Sequence, residues 1–394
     1  MEMKNVVVVG GGYVGLPLAI LARQAGYNVT ILDIDEKKVE SINNGVRPID
    51  FPDIKISATT DPLCQSNADV VVICVPTPTN KDLTPCLDPI NSAIDSFKKY
   101  RKSDCLLSIE STVYPGYTDE VVASLEGFDT VVFSPERINP GTPFDSISKI
   151  TKVVGGPYAS TLGKDFYRKL FDSLYITDSF TVAEMTKLLE NSFRATNIAL
   201  VNEFAKACNV LNLDIWEVIH AAESKSFGYM PFYPGPGVGG HCIAIDSYYL
   251  IWAMHKYNLD LSLLQSIMDF NKETPSYIAS RIKDLVLPNS KILIIGVTYK
   301  ENVSDIRESP SIDIIAKLQE ENYNVYYYDP LINRLDDLEM TSSDLNESFD
   351  LGVLTVNHSC LDFGRLLKSC NKIFDLKNTK LSDINTISGK VVRL

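Results

Sequence analysis

The sequence predicts an α/β protein: two Rossmann-like doubly wound parallel-sheet domains joined by a central helical domain. Three observations lead there. Over the first 180 residues, apolar β-type runs alternate with helix-type stretches, the pattern of a parallel sheet covered by helices on both faces. A block that reads as helix alone follows. From Ser290 the alternation resumes with the charged start, apolar strand and glycine that also open the chain. At 394 residues the chain is too long for one ordinary domain. The expected domains are 1–180, 181–285 and 286–394.

In order, strands are expected at Asn5–Val9, Asn28–Asp33, Asp69–Val75, Cys105–Ser108 and Thr130–Ser134, with a helix over Leu16–Ala25. Turn residues follow the strands in Gly10-Gly11-Gly12, Val75–Pro78, Val113–Gly116 and Ser134–Glu136. Ligands sit at the carboxyl ends of strands in an open parallel sheet, so these turns should line one crevice. From Val182 to about Asn212, Leu188, Phe193, Ile198, Val201 and Phe204 recur at helical spacing, as one long helix or two abutting ones. Helical pattern continues over Ile215–Ser224, Tyr248–Tyr257 and Leu261–Lys272. This middle block is expected to be a spine or the interface of a homodimer. The second α/β block is expected to hold Lys291–Gly296, a helix over Ser311–Glu321, then Val325–Asp329, Asp350–Val356 and Lys372–Asp375. Gly296 is followed by Val297-Thr-Tyr-Lys300, so this block lacks a full glycine fingerprint.

Composition narrows the function. With 45% hydrophobic and 22% charged residues the chain is ordinary for a soluble protein, and its longest apolar runs are strand-length. No transmembrane helix and no secretory signal are read at the N-terminus, so a cytoplasmic protein is expected. A net charge of −13, with no basic cluster longer than Lys98–Lys102, argues against a nucleic-acid or anionic-membrane partner. The eight cysteines form no CxxC and no metal-type pairing with the four histidines, so neither a metal nor a disulfide framework is expected. Cys74 and Cys208 read as buried thiols.

Two features carry chemistry. Gly10-x-Gly12-x-x-Gly15 lies between a strand and a helix, where glycines permit a tight turn and let backbone approach a pyrophosphate at the helix N-terminus. Asp33, ending the next strand, is placed to accept hydrogen bonds from ribose hydroxyls, which favours NAD over NADP. Tyr13 and Val14 in the turn, Lys38, Pro76 and Thr77 complete the expected cofactor contacts of this half. The second feature is Cys242 in Tyr233-Pro-Gly-Pro-Gly-Val-Gly-Gly-His-Cys242, with Asp246 four residues on. A thiol in a glycine–proline loop reads as a placed nucleophile. With nicotinamide chemistry it implies oxidation of an alcohol past the aldehyde to an acid, because an aldehyde captured on sulfur is again a hydride donor. Whether the adjacent His241 tunes the thiol is left open by sequence. Lys187 and Asn191 stand four apart, on one helix face, where an ammonium and an amide could stabilise an oxyanion.

Seven ordered stretches make the chain resemble the UDP-glucose/GDP-mannose dehydrogenase family over essentially its whole length. They are Gly10-Gly-Gly-Tyr-Val-Gly-Leu16, Val75-Pro-Thr-Pro78, Glu110-Ser-Thr-Val-Tyr-Pro-Gly116, Ser134-Pro-Glu-Arg-Ile-Asn-Pro-Gly141, Lys187-x-x-x-Asn191, Gly239-Gly-His-Cys242 with Asp246, and Gly296-Val-Thr-Tyr-Lys300 through Arg307-Glu-Ser309. The resemblance implies an NAD domain, a dimerising helical centre and a UDP-sugar domain. It also implies that the C6 alcohol of a UDP-sugar is oxidised to an aldehyde, captured by Cys242, oxidised to a thioester and hydrolysed. Lys187 and Asn191 would hold the oxyanion. Asp246 and Thr112 would position water and handle protons, Thr112 also touching NAD. Glu136 would serve thioester hydrolysis, its proton affinity raised by a closed site. Lys300 would contact substrate and Arg307 the cofactor. Substrate contacts are further expected from Arg137, Ile138, Tyr229, Phe232, Tyr233 and Gly239.

Ile245 stands where UDP-glucose enzymes usually have lysine, and no cross-dimer arginine can be placed, which argues against UDP-glucose. The run Ser226-Phe-Gly-Tyr-Met-Pro-Phe-Tyr-Pro-Gly-Pro-Gly237 looks most like bacterial UDP-N-acetylglucosamine 6-dehydrogenases of surface polysaccharide pathways. UDP-N-acetylmannosamine and then UDP-glucose are the alternatives. A two-electron hydroxyacid-type dehydrogenase and an inactive nucleotide-sugar-binding protein are the other classes. Ala244 and Ser247 replace prolines common in related sequences, which is expected to loosen the Cys242 loop.

Overall fold

Strand β1 (Asn5–Val9) carries four consecutive valines, each buried, as the centre of a sheet covered on both faces requires. The computed structural model describes residues 3–46, 51–139, 141–240, 242–379 and 390–394; His241 lies outside the described residues. The chain forms two units, one made of residues up to Glu190 with Tyr248–Asp260, the other of Asn191–Ser247 with Leu261–Leu394.

In the first unit β1 is followed by α1 (Gly15–Gln24), β2 (Asn28–Leu32), α2 (Glu36–Asn43), β3 (Ser57–Thr59), β4 (Val70–Ile73), α3 (Asp88–Tyr100), β5 (Leu106–Ile109), α4 (Tyr117–Ser124), β6 (Val131–Phe133), β7 (Lys152–Gly155), α5 (Lys164–Tyr167) and β8 (Leu174–Thr177). They form one sheet in the order β3-β2-β1-β4-β5-β6-β7-β8. Strand order reverses between β1 and β4, the switch point that opens a crevice at the carboxyl ends. The sheet is larger than expected and not wholly parallel: β3, β7 and β8 were not legible, and β7 meets β6 antiparallel through Phe133 and Gly155 alone. Their own residues signal strand only weakly. β3 has three residues, β7 begins on a lysine, and β8 alternates only between half-buried and exposed positions.

Helix α6 (Phe180–Val210) is one continuous helix of 31 residues, roughly 46 Å at 1.5 Å per residue. It is followed by α7 (Ile215–Glu223), α8 (Asp246–His255) and α9 (Ser262–Lys283). α9 runs eleven residues past its expected end at Lys272, with Pro275 accommodated and buried inside it.

The second unit adds β9 (Lys291–Ile295), α10 (Pro310–Glu320), β10 (Asn324–Tyr328), a small hairpin of β11 (Arg334–Leu335) and β12 (Met340–Thr341), β13 (Phe349–Leu354), α11 (Phe363–Ser369), β14 (Cys370–Asp375) and β15 (Val391–Arg393). Its main sheet, β10-β9-β13-β14-β15, is parallel throughout. The opening of the chain is repeated here in detail. Gly296 after β9 has φ 90°, as Gly10 after β1 has φ 99°. The Val297 amide donates to Asp329 after β10 at 2.7 Å, as the Gly11 amide donates to Asp33 after β2 at 2.8 Å. Asp329 is closed off by the Leu331 and Ile332 amides and by His358 Nε2 at 3.2 Å, so this second turn is a structural copy of the first. Among the described residues, no helix is long and apolar enough to cross a membrane, no cluster of metal-ligating side chains occurs and no disulfide forms.

Burial opposes the charge of Asp329, but His358 and the Val297 and Leu331 amides outweigh it and hold the carboxyl below its ordinary range. Its contribution is therefore present above the unfolded value of about 3.9 and lost as pH falls through the lower native value. Asp329→Asn, which turns one acceptor into a donor facing N–H groups, should cost about 2 kcal/mol in urea unfolding at pH 7 and flatten the acid-side fall in stability. Unchanged stability and an unchanged acid slope would contradict this.

Candidate active site

The first half-site is the glycine turn. A Cβ on Gly10 would sit 2.6 Å from the Cys74 carbonyl oxygen, and one on Gly15 1.8 Å from the Gly10 oxygen, so neither position tolerates a side chain. A Cβ on Gly12 would meet nothing within 4 Å. Gly10 and Gly15 thus shape the turn, and Gly12 leaves backbone uncovered at the start of α1, as a pyrophosphate needs. Asp33 is buried, with Oδ2 accepting from Gly11 N–H and from Lys38 Nζ at 3.0 Å and Oδ1 from Asp35 N–H at 3.0 Å. Burial resists its ionisation, but those two amides and Lys38 prevail and keep it anionic. Three of its roughly four acceptor sites are used, which leaves one for a ribose hydroxyl. These residues fit NAD. Lys38 bears on that site through Asp33. Tyr13 is exposed and Val14 half-buried at the turn. Pro76 and Thr77 are fixed from both sides: Tyr249 donates its hydroxyl to the Thr77 and Pro78 carbonyls, and Ser111 donates to the Val75 carbonyl at 2.7 Å. Thr112 follows Ser111 in a segment whose far end is held by Glu184, which accepts from the Gly116 and Thr118 amides.

The same unit holds a cluster that sequence reasoning missed. Lys152 is only 1% exposed, yet its ammonium lies 2.8 Å from Glu110 Oε2, 3.3 Å from the Pro135 carbonyl and 3.4 Å from Glu136 Oε2. Glu136 Oε1 accepts from the Arg137 and Ile138 amides at 2.6 and 2.5 Å, and Lys187 Nζ donates to the Glu136 carbonyl at 2.5 Å. The expectation of a raised proton affinity falls on the wrong carboxylate. Burial lifts Glu110 to about 7 against the pull of Lys152. Burial also opposes ionisation of Glu136, but Lys152, the two amides and Lys187 hold it below the ordinary glutamate value. Arg137 forks onto Glu190 and donates to the Thr151 carbonyl, which ties the Glu136 segment to α6. Ile138 supplies its amide to Glu136 and packs against the core of this unit.

In the second unit the Cys242 carbonyl accepts from the Ile245 and Asp246 amides at 3.1 and 2.8 Å, so the cysteine segment leads directly into α8. Asp246, 3% exposed, accepts from Asn191 Nδ2 at 2.5 Å. Asn191 Oδ1 in turn accepts from Arg194 at 2.7 Å, which fixes the amide orientation. Lys187 and Asn191 lie one turn apart on α6. The glycines before Cys242 are in tight contact: a Cβ on Gly239 would lie 2.6 Å from the Glu308 carbonyl oxygen, and one on Gly240 would strike the Tyr299 ring at 2.7 Å. The predicted loosening by loss of prolines is offset at one position, since Ser247 Oγ bonds Ser192 Oγ at 3.0 Å, both buried.

The same unit holds Lys300, Arg307 and the aromatic residues that the sequence singles out. Lys300 has a lowered proton affinity, through burial first and then the nearby Arg194. Arg307 is gripped by Asp305 through Nε and a terminal nitrogen. Tyr233 stacks on Trp216 with ring centroids 5.7 Å apart, Phe232 meets Phe193 edge-on, and Tyr229 is exposed. Trp216, Tyr233, Pro234, Glu301 and Lys377 border a cavity of about 330 Å³, and the buried Trp216 indole N–H has no acceptor among the described residues. Arg194 was findable, being three residues after Asn191 on the same helix. Trp216 and Lys377 carried no motif.

Three domain profiles of the UDP-glucose/GDP-mannose dehydrogenase family match the chain: the NAD binding domain over residues 4–175, the central domain over 181–273 and the UDP binding domain over 293–380. The chain is 34% identical to a UDP-N-acetyl-D-mannosamine dehydrogenase of Methanococcus aeolicus over 96% of this chain and 92% of that one. It is 32% identical to a UDP-N-acetyl-D-glucosamine 6-dehydrogenase of Pseudomonas aeruginosa over 96% and 97%. Its fold matches the solved UDP-D-ManNAc dehydrogenase of Pyrococcus horikoshii with a TM-score of 0.84 at 28% identity, covering 95% and 96% of the two chains.

The two kinds of glycine should separate on substitution. Gly15→Ala should unfold or severely destabilise the first unit, by roughly 3 kcal/mol or more. Gly12→Ala should leave thermal stability nearly unchanged while weakening NAD binding at least about tenfold in calorimetric titration. Normal NAD affinity in Gly12→Ala would contradict the assignment of that turn.

Proposed function

The chain belongs to the UDP-glucose/GDP-mannose dehydrogenase family, and we propose that it oxidises C6 of a UDP-N-acetylhexosamine from alcohol to carboxylate through a covalent Cys242 adduct. The observation that carries this reading is Asn191 locked between Arg194 and Asp246, the residue that starts the helix into which the Cys242 segment leads. A nucleophile, a carboxylate and an oriented amide are the groups that aldehyde capture needs.

Bound NAD supplies the hydride acceptor, once for each two-electron step. In our reading Asp246, with water held by Thr112, takes the C6 hydroxyl proton. The Cys242 thiolate then adds to the aldehyde carbon, and the negative charge arising on C6 oxygen is met by Lys187 and by the second Asn191 N–H. After the second oxidation, water attacks the thioester carbon, Glu136 accepts its proton and the C–S bond breaks to return the Cys242 thiolate. The net change is thioester and water to carboxylate and thiol, with one proton released. On the nucleotide side, the stacked Trp216–Tyr233 pair and the cavity beside it suit the uridine, with the Trp216 N–H as a donor for it. Lys300 and Arg194, two cations that raise each other's energy, suit the diphosphate. Arg307 is assigned to the cofactor.

The C2 configuration of the sugar is left to experiment. The run Ser226–Gly237 favours glucosamine; relatives named for mannosamine favour its epimer. We further infer a homodimer built on α6. Val182, Met185, Leu189, Phe193, Leu200 and Phe204 are exposed along this helix at spacings of three, four or seven residues, an apolar stripe suited to a second copy of itself.

Steady-state assay with four UDP- or GDP-sugars should give kcat/KM for one UDP-N-acetylhexosamine at least roughly a hundredfold above UDP-glucose and GDP-mannose. Cys242→Ser should lose acid formation. Full activity in that variant, or a preference for UDP-glucose, would overturn the reading. Separately, Leu189→Asp with Phe193→Asp should convert a dimer to monomer in sedimentation velocity, and a wild type that sediments as a monomer would refute the α6 interface.

A further inference from the structure

Glu136 is asked to accept a proton, yet two backbone amides occupy one of its oxygens and a buried ammonium stands near the other. We propose that Glu110 and Lys152 are a positioning pair that controls Glu136 from the protein interior: Lys152 keeps its carboxylate charged and aimed, and Glu110 competes for the same ammonium. This rests on the assignment of Glu136 to thioester hydrolysis.

The geometry is that of one cation divided between two anions. All three Lys152 donors are engaged, on Glu110, Glu136 and the Pro135 carbonyl, and the contact to Glu110 is 0.6 Å shorter than that to Glu136 (2.8 against 3.4 Å). Glu110 Oε1 is held by the Tyr167 hydroxyl at 2.5 Å, and Tyr167 shares a hydrogen bond with Ser108 at 2.7 Å. Both carboxylates are buried, so with both ionised the trio carries one uncompensated negative charge in a low dielectric. The other groups around Glu136 are Lys187 on α6, Arg137 already paired with Glu190, and Cys74 at the end of β4, whose thiol burial keeps protonated. Tyr167 from α5 is kept protonated likewise. The proton that relieves the cluster therefore goes to Glu110, and Glu136 remains the base. When Glu136 Oε2 accepts the proton of the attacking water, the ammonium is released wholly to Glu110. Once the C–S bond has broken, that proton leaves to the thiolate or to solvent and the starting arrangement returns.

A base that acts ionised loses its rate as pH falls through its pKa. Losing Lys152 raises that pKa; losing the Glu110 charge lowers it. The test uses the full chain with NAD and its UDP-hexosamine, and follows decay of the Cys242 thioester by rapid quench and intact mass from about pH 3.5 to 8, a range that includes the acid limb expected of a glutamate held below its ordinary value. Lys152→Met should move the acid limb upward by about one unit or more. Glu110→Gln/Lys152→Met, which removes one buried charge of each sign and leaves the Glu136 carboxylate to its two amides and to the nearby Lys187, is the better tolerated of the two and should move the limb upward by less. Glu110→Gln alone should slow thioester decay above about pH 7, where Glu110 is otherwise ionised, about tenfold, with little change below it, no upward movement of the limb and KM for NAD unchanged. An acid limb unmoved in both Lys152 variants would overturn the proposal. The Glu136 reading is checked apart: Glu136→Gln should accumulate thioester, and if it does not, that assignment fails first.

Discussion

The first unit turns on one ammonium group. Lys152 opens β7, and β7 joins the sheet through a single antiparallel pairing with β6, too little by itself to hold the edge of a sheet. The side chain supplies what the backbone does not. It reaches Glu110 at the end of β5 and the Pro135–Glu136 segment after β6, so three strand ends meet on one charge. A buried charge costs several kcal/mol unless paired, and here both signs are present with their hydrogen bonds filled. The result is an arrangement specified by electrostatics at the place where the sheet departs from parallel order, and Glu136 inherits its orientation from it.

The two sheets show one device used twice with different outcomes. Each has a left-handed glycine after its first strand and an aspartate after its second, joined through the amide that follows the glycine. In the first unit the glycine at position 12 leaves the turn open and Asp33 retains an acceptor site, so the turn fits a dinucleotide. In the second, His358 and two further amides complete the shell of Asp329, and the turn holds the fold together instead. What separates a cofactor turn from a structural one is whether the aspartate is left an unused lone pair.

Most of the architecture was legible because its signals are local. Valine runs, the glycine spacing and the long period of α6 state their structure within a few residues. β7 and β8 were not legible, since their burial and pairing come from distant segments, and a lysine at a strand start reads as solvent-exposed. The same division holds at the site. Cys242 and Asp33, and the Lys187–Asn191 pair on one helix face, are candidates that spacing and composition alone put forward. Glu136 was reached only by resemblance, and the side chains that set its charge, Glu110 and Lys152, lie 26 residues before and 16 after it, with no pattern linking them. Ser247, read as a loss of stiffness, bonds Ser192 across 55 residues, a contact that only the fold reveals.

The proposed chemistry depends on capture of the aldehyde before it can leave, and in that reading a thiol, an oriented amide and a hydrolytic carboxylate are needed beyond a simple dehydrogenase. The most direct measurement is the amount of NADH formed when a limiting quantity of the preferred UDP-N-acetylhexosamine is consumed to completion. The account predicts two NADH per sugar with the uronic acid as product; one NADH per sugar, with free aldehyde, would contradict the covalent role of Cys242.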